Sequence, residues 1–310
     1  MNVTLLDLEF QGSPKTIASY LVEGSSGYVL IETGPGSTLD SLVARLAENG
    51  VSPKDIEHVL VTHIHLDHAG AAGWLAQQGA IVFVHHVGAP HLIDPSRLLE
   101  SAGRIYGAKL ESLWGETLAA PAGRVVAVHD GEKIEAAGLT FTALDTPGHA
   151  YHHHVFVIDE VAFTGDAAGI RIEGTSFVDL PAPPPEFNLE AWMKTIARLR
   201  SLKLKAVYPT HFGRLEDPDR QLATLAELME ETTTRIRRML EEGASREAIM
   251  EDYLAWSKNR ARQSGISSKE YQLYELVNPH YMSMDGIIRY WKKKGIPSGE
   301  QSTHSAADSV

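Results

Sequence analysis

The run Thr62-His63-Ile64-His65-Leu66-Asp67-His68 constrains this chain more than any other feature. It places four metal-competent side chains within six residues, directly behind the apolar stretch 58–61. In extended backbone His63 and His65 point to the same side, because side chains alternate with period two. Asp67 and His68 fall where the chain turns into the next helical pattern, so they aim at a neighbouring point. Two histidines for one cation and an Asp–His pair for a second make a dinuclear layout. A fold that uses it must bring further ligands from distant parts of the chain.

Three later segments each offer one such group, and each follows a short run with strand character. Thr146-Pro147-Gly148-His149 follows 139–144, Thr164-Gly165-Asp166 follows 161–163, and Pro209-Thr210-His211-Phe212-Gly213 follows 206–208. A Gly or Pro beside the polar residue permits a tight turn that presents the side chain at the strand end. Any one of these reads as a cap or a solvated turn. Together, in this order, they read as a metal site. The chain has 15 His and no Cys, so a metal must be held by imidazole and carboxylate. Disulfides, thiolate zinc and a Cys nucleophile are excluded.

Around these segments, short β-branched and aromatic runs alternate with helical patterns. Strands are expected at 3–8, 17–22, 28–31, 58–61 and 81–84, then at 125–128, 139–144, 155–158, 161–163 and 206–208. Helices are expected at 38–48, with Ser37 as N-cap, and at 69–78 and 189–202. Residues 85–124 are longer than an ordinary connection and carry a helical pattern around 98–113, which suits a lid-like insertion. From 214 to 296 the pattern is helical. Asp217-Pro218 forms a start signal, Gly243 a stop, and Leu222, Leu225, Leu228, Met229, Ile236 and Leu240 an apolar stripe. Further helices are expected at 246–256 and 281–293. The division is a catalytic domain over 1–213, a helical region over 214–296 and a disordered tail over 297–310.

Charge narrows the partners. With 28 Lys+Arg against 40 Asp+Glu, the net charge of −12 opposes nucleic acid and anionic membranes. The N-terminus carries acids where a secretory signal needs bases, and no apolar run reaches the roughly 18 residues of a membrane helix. A cytoplasmic enzyme with a small-molecule substrate is expected. The stripe of the helical region must be buried, and pairing of two copies as a homodimer is the expectation.

The ordered set HxHxDH, PGH, GD and THFG resembles the metallo-β-lactamase superfamily over about residues 1–213. The resemblance implies an α+β fold, an αββα four-layer sandwich of two mixed β-sheets flanked by helices, with the metals at the sheet edges. The helices after residue 213 would extend it. Carried over residue by residue, it implies that His63, His65 and His149 bind one divalent metal. Asp67, His68 and His211 would bind a second, and Asp166 would bridge the two. Zn²⁺ is the first expectation, with Fe²⁺ and Mn²⁺ open, since the donors suit all three. Where the family usually reads Asp-Thr-Gly, this chain reads Glu32-Thr33-Gly34. Glu32 is placed behind the ligands rather than among them, and its extra methylene leaves its contact open.

The resemblance implies hydrolysis by a metal-bridging hydroxide, with Asp67 and Asp166 as catalytic ligands. Within the superfamily, the charge opposes the nucleases, and the absent Cys opposes the commonest β-lactamases. The His at position 65 opposes the flavodiiron branch. Small thioesters, esters or lactones remain, with a glyoxalase II-like plan and no glutathione claimed as substrate. The alternatives are a mononuclear iron persulfide dioxygenase and β-lactamase-like amide hydrolysis. Arg171, His86 and Tyr106 are expected to touch substrate: Arg171 as a fork for a carboxylate, His86 from the strand edge, Tyr106 from an apolar pocket. His91, Trp114 and Phe187 are further pocket residues. His152, His153 and His154 read as rim and strand residues, and no chemistry is assigned to the proline run 181–185.

Overall fold

A computed structural model describes residues 2–296; the tail expected over 297–310 lies outside them. The first sheet runs β1 (Asn2–Asp7), β2 (Ala18–Gly24), β3 (Gly27–Ile31), β4 (Ile56–Leu60), β5 (Ile81–His85) and β6 (Val125–Val128), neighbours in sequence order. The hairpins β1–β2 and β2–β3 are antiparallel; β3 to β6 are parallel. The parallel strands need crossovers. These are α1 (Leu39–Glu48), then α2 (Leu66–Ala69) with α3 (Ala72–Gln78), then α4 (Ala89–Ile93), α5 (Ser96–Tyr106) and α6 (Leu110–Trp114). The second sheet has the order β11-β10-β9-β8-β7. Its strands are β7 (Lys133–Ala136), β8 (Leu139–Asp145), β9 (His154–Ile158), β10 (Val161–Gly165) and β11 (Ala206–Pro209). Only β10 and β11 pair in parallel there, joined through α7 (Leu189–Ser201). Both sheets are therefore mixed.

The period-two alternation of the strands builds four layers. In β3, Val29 and Ile31 face the core between the sheets, while Leu30 faces outward to the helices of the first side. In β9, Phe156 and Ile158 face the inter-sheet core, and Val155 faces the outer cluster with Trp192 and Ile196 of α7. The same outer cluster takes in α8 (Pro218–Glu241), α9 (Arg246–Gln263) and α11 (His280–Lys293). The stripe Leu222, Leu225, Leu228, Met229, Ile236 and Leu240 is buried in this cluster, so within the same chain it covers the second sheet. The αββα sandwich with C-terminal helices is thus observed. No helix among the described residues is long and apolar enough to cross a membrane.

Several local expectations are revised. Strand β7 and helix α10 (Ser268–Val277) were not legible from the pattern, and α9 runs on to Gln263. Ser37 does not cap α1: a 3-10 turn over Gly36–Thr38 comes first, and the Ser37 hydroxyl donates to the Leu113 carbonyl at 2.6 Å. Asp217 sits at the cap position of α8, but its carboxylate is turned to Arg171 at 2.9 Å.

Candidate metal centre

Every expected ligand lies just beyond the end of a strand. His63, His65, Asp67 and His68 follow β4, His149 follows β8, Asp166 follows β10 and His211 follows β11. Two glycines make the turns possible. Gly148 has φ +145°, and a Cβ there would come within 2.3 Å of Trp192. Gly165 has φ +50°, and a Cβ there would come within 2.4 Å of the Thr62 hydroxyl. Neither position accepts a side chain, so the residue after each is presented at a fixed angle.

The seven side chains converge as two sets. His65 Nδ1 lies 3.0 Å from His63 Nε2 and 2.9 Å from His149 Nε2. Asp67 Oδ2 lies 3.4 Å from His68 Nε2 and 3.3 Å from His211 Nε2. Asp166 reaches both sets, with Oδ2 at 3.2 Å from His149 Nε2 and 3.6 Å from His68 Nε2. His63, His68, His149, Asp166 and His211 are buried, while His65 and Asp67 are partly open to a cavity.

The partners behind the rings fix which nitrogen faces inward. His149 Nδ1 donates to the Pro181 carbonyl at 2.8 Å, and His211 Nδ1 to the Thr16 carbonyl at 2.7 Å. A carbonyl only accepts, so each ring carries its proton outward and turns an Nε2 lone pair toward the centre. His68 Nδ1 faces Glu32 Oε1 at 3.3 Å to the same effect. His63 Nδ1 faces the Thr62 hydroxyl at 3.0 Å, and that hydroxyl donates to Glu32 Oε1 at 2.5 Å. Glu32, held at φ +61°, therefore orients His68 directly and His63 through Thr62. This supplies the contact that the sequence left open.

The site calls for positive charge. Burial alone would raise Asp67 and Asp166, but the surrounding imidazoles outweigh it and hold both carboxyls below their usual range. Burial acts to lower His68, yet Asp67, Asp166 and Glu32 push it well above its ordinary value. His63 is held well below its own value, first by burial and then by neighbouring rings. His68 Nε2 and Asp166 Oδ1 are buried with no hydrogen-bond partner. Lone pairs facing one another at 2.9–3.0 Å, together with orphaned buried atoms, are what a cation would satisfy. The residues fit divalent metal.

The remaining expectations divide. Tyr106 lines the cavity beside the centre, as do His91 and Trp114. Arg171 does not line it. Its Nη1 is bonded to Asp217 and its Nε to the Thr175 carbonyl at 2.9 Å, so the fork is committed to the fold. His86 does not line it either, since its ring is stacked between His85 and His129. Phe187 is packed against Trp192 and Tyr290 in the core. Two groups were missed. The proline run borders the cavity and orients His149 through Pro181. Glu186, just after it, pairs with His152 at 3.1 Å beside His65. Burial would raise Glu186, but the His152 bond holds it down at about 2. The only available signal was an acid adjoining a stiff loop.

Comparison with known proteins agrees with this geometry. Residues 12–211 match the model of the metallo-beta-lactamase superfamily. The lactamase-like protein adaB of Aspergillus niger is 31% identical over 72% of this chain, and the match spans 57% of that protein's length. An atrochrysone carboxyl ACP thioesterase of Aspergillus terreus is 26% identical over 87% of this chain and 68% of its own. Among solved structures, a metallo-beta-lactamase family protein of Thermus thermophilus superposes with a TM-score of 0.68 at 22% identity, covering 94% of each chain. Fold, motif order and family match coincide: this chain belongs to the metallo-β-lactamase superfamily.

Proposed function

We propose that the chain hydrolyses a small-molecule thioester at a dinuclear centre, with esters and lactones as neighbouring substrates. The observation that carries this reading is the pair of ligand sets joined by Asp166 and opening into a cavity of about 730 Å³. The thioesterase named among the relatives supports it. His63, His65 and His149 would hold one ion, and Asp67, His68 and His211 the other. When bound, two divalent cations supply Lewis acidity, making hydroxide available near neutral pH and polarising a carbonyl.

The chain's own part is to hold and orient. Glu32 keeps the Nε2 lone pairs of His68 and, through Thr62, of His63 aimed inward. Asp166, the carboxylate that touches both sets, would hold the two ions in one centre, where the attacking water is made available to the acyl carbon. A C–O bond forms, the C–S bond breaks, and the departing sulfur takes up a proton from water, so that thioester and water give acid and thiol. His152, tied to Glu186, gives the cavity a polar wall beside His65.

Metal analysis of protein purified without chelator, with turnover of thioesters, lactones, β-lactams and persulfides, tests the reading. About two equivalents of zinc or manganese with thioester cleavage is expected. One equivalent of iron with oxygen consumption on persulfide would replace it with the dioxygenase reading, and β-lactam turnover alone with amide hydrolysis.

A further inference from the structure

The cavity is larger and more apolar than a small ester needs, and its mouth is chemically uneven. Its wall is built by α5 and α6 on one side and by the α10–α11 junction on the other, with Leu98, Leu113, Leu276 and Met282 among the lining side chains. Trp114 stacks on Phe10 at 5.3 Å and gives the wall a flat aromatic face. Exposed large apolar side chains are few among the described residues, yet Val87 (46% exposed), Ile105 (38%) and Tyr281 (38%) all border this one cavity. An uncovered apolar lip is a cost that an occupant hiding it would remove.

The charges at the mouth are opposite to those of the chain as a whole. The protein carries a net −12, and most of its arginines are paired with carboxylates. Arg97 and Lys109 are exposed, border the cavity and form no ion pair among the described residues. The cavity's acids are already engaged: Glu186 with His152, Glu275 with His280, and Asp67 and Asp166 with the histidines of the centre. Among the described residues, the cavity lining therefore keeps two cations without an ion pair on one helical wall, with the exposed Asp94 near Arg97 but outside the lining. An Arg fork and a Lys ammonium together suit a group with several oxygens and more than one negative charge, which describes phosphate better than a single carboxylate.

We propose that the substrate is an amphipathic acyl thioester: its apolar acyl group fills the cavity, and its thiol arm carries a phosphate held by Arg97 and Lys109. This rests on the thioester reading above and adds the chemistry of both ends of the substrate. A small lactone or a neutral ester would leave the lip uncovered and the two cations unmatched.

Non-hydrolysable thioethers test it by binding, independently of turnover. S-decyl-coenzyme A, S-decyl-glutathione and S-decyl-N-acetylcysteamine carry the same chain on a phosphate-bearing, a carboxylate-bearing and a neutral arm. The coenzyme A thioether is expected to bind at least about tenfold more tightly than the neutral one, a difference near 1.4 kcal/mol. Its affinity should fall with added salt. In the double variant Arg97→Gln/Lys109→Gln, that advantage and most of the salt dependence should vanish. The KM for decanoyl-coenzyme A should rise about as much, with kcat held. Both residues are exposed, so an unchanged melting temperature is the check on folding. Equal binding of the three arms, a preference for the glutathione arm, or a double variant that keeps the advantage would overturn the proposal. Tight, charge-dependent binding without thioester cleavage would overturn the hydrolytic reading, and the substrate role with it, and leave Arg97 and Lys109 as the phosphate-binding pair of an apolar cavity.

Discussion

Around the candidate metal centre, His149 and His211 pass their Nδ1 protons outward to backbone carbonyls. Around Asp145, His85 does the reverse: its Nδ1 accepts the Val87 N–H at 3.1 Å, which puts the proton on Nε2, facing Asp145 Oδ1 at 3.4 Å. His154 Nε2 donates to the same oxygen at 2.7 Å. Both clusters bring three donor atoms within 4.8 Å of one another, and both sit at strand ends. One turns lone pairs toward a point, whereas the other turns N–H groups toward a carboxylate. The residue types are nearly the same, so what separates a metal site from a hydrogen-bonded cluster is the partner behind each ring.

The sharpest way to break this contrast is Asp166→Ala. Activity should fall by at least about 10²-fold, the scale on which removal of a positioned charge acts in an active site. Metal content by mass spectrometry should fall with it, because Asp166 is the one carboxylate that touches both ligand sets. Unchanged turnover or full metal content would mean the two sets do not share that residue.

Glu32→Gln removes the charge behind His68 and Thr62 without removing a ligand. Loss of such an orienting partner should cost about 10–100-fold in metal affinity, measured by competition with a chelator. A variant that binds metal as tightly as the parent would show that the tautomers are set by something other than Glu32.

The smallest effect is expected on the other side of the comparison. Burial first, and then the ring of His154, lowers His85 from 6.5 to about 4. The unfolded chain takes up that proton at the higher pH, so the stability contributed by the neutral ring is present above about 6.5 and lost as pH falls through about 4. His85→Gln should flatten the decline in melting temperature across that window while leaving metal content and turnover at parental levels. Loss of metal in this variant would erase the distinction between the two clusters.

Legibility followed the range of the interaction. The seven clustered residues were readable because period two places His63 and His65 together, and because each later ligand stands beside a Gly or Pro at the end of an apolar run. The strands that carry them were readable for the same reason, within a residue or two. Strand β7, with Lys133 and Glu135 exposed on an edge, has too short an apolar pattern to stand out. Helix α10 is held by its capping box at Ser267 and Glu270 and by the buried Tyr274, not by a long stripe. Arg171 and His86 looked available because a sequence shows a side chain's chemistry but not its neighbours. Asp217, 46 positions away, occupies the first, and the rings of His85 and His129 enclose the second.

By itself the sequence determined the candidate ligand types, their order and the alternation that makes two sheets with helices outside, because these depend on local periodicity and turn chemistry. Only the tertiary structure decided which histidines turn lone pairs inward, that Glu32 and the carbonyls of Thr16 and Pro181 orient them, and that an acidic chain lines an apolar cavity with two cations that form no ion pair among the described residues. Each of these depends on groups brought together across long separations, 195 residues in the case of His211 and Thr16, and nothing in local pattern records such a meeting.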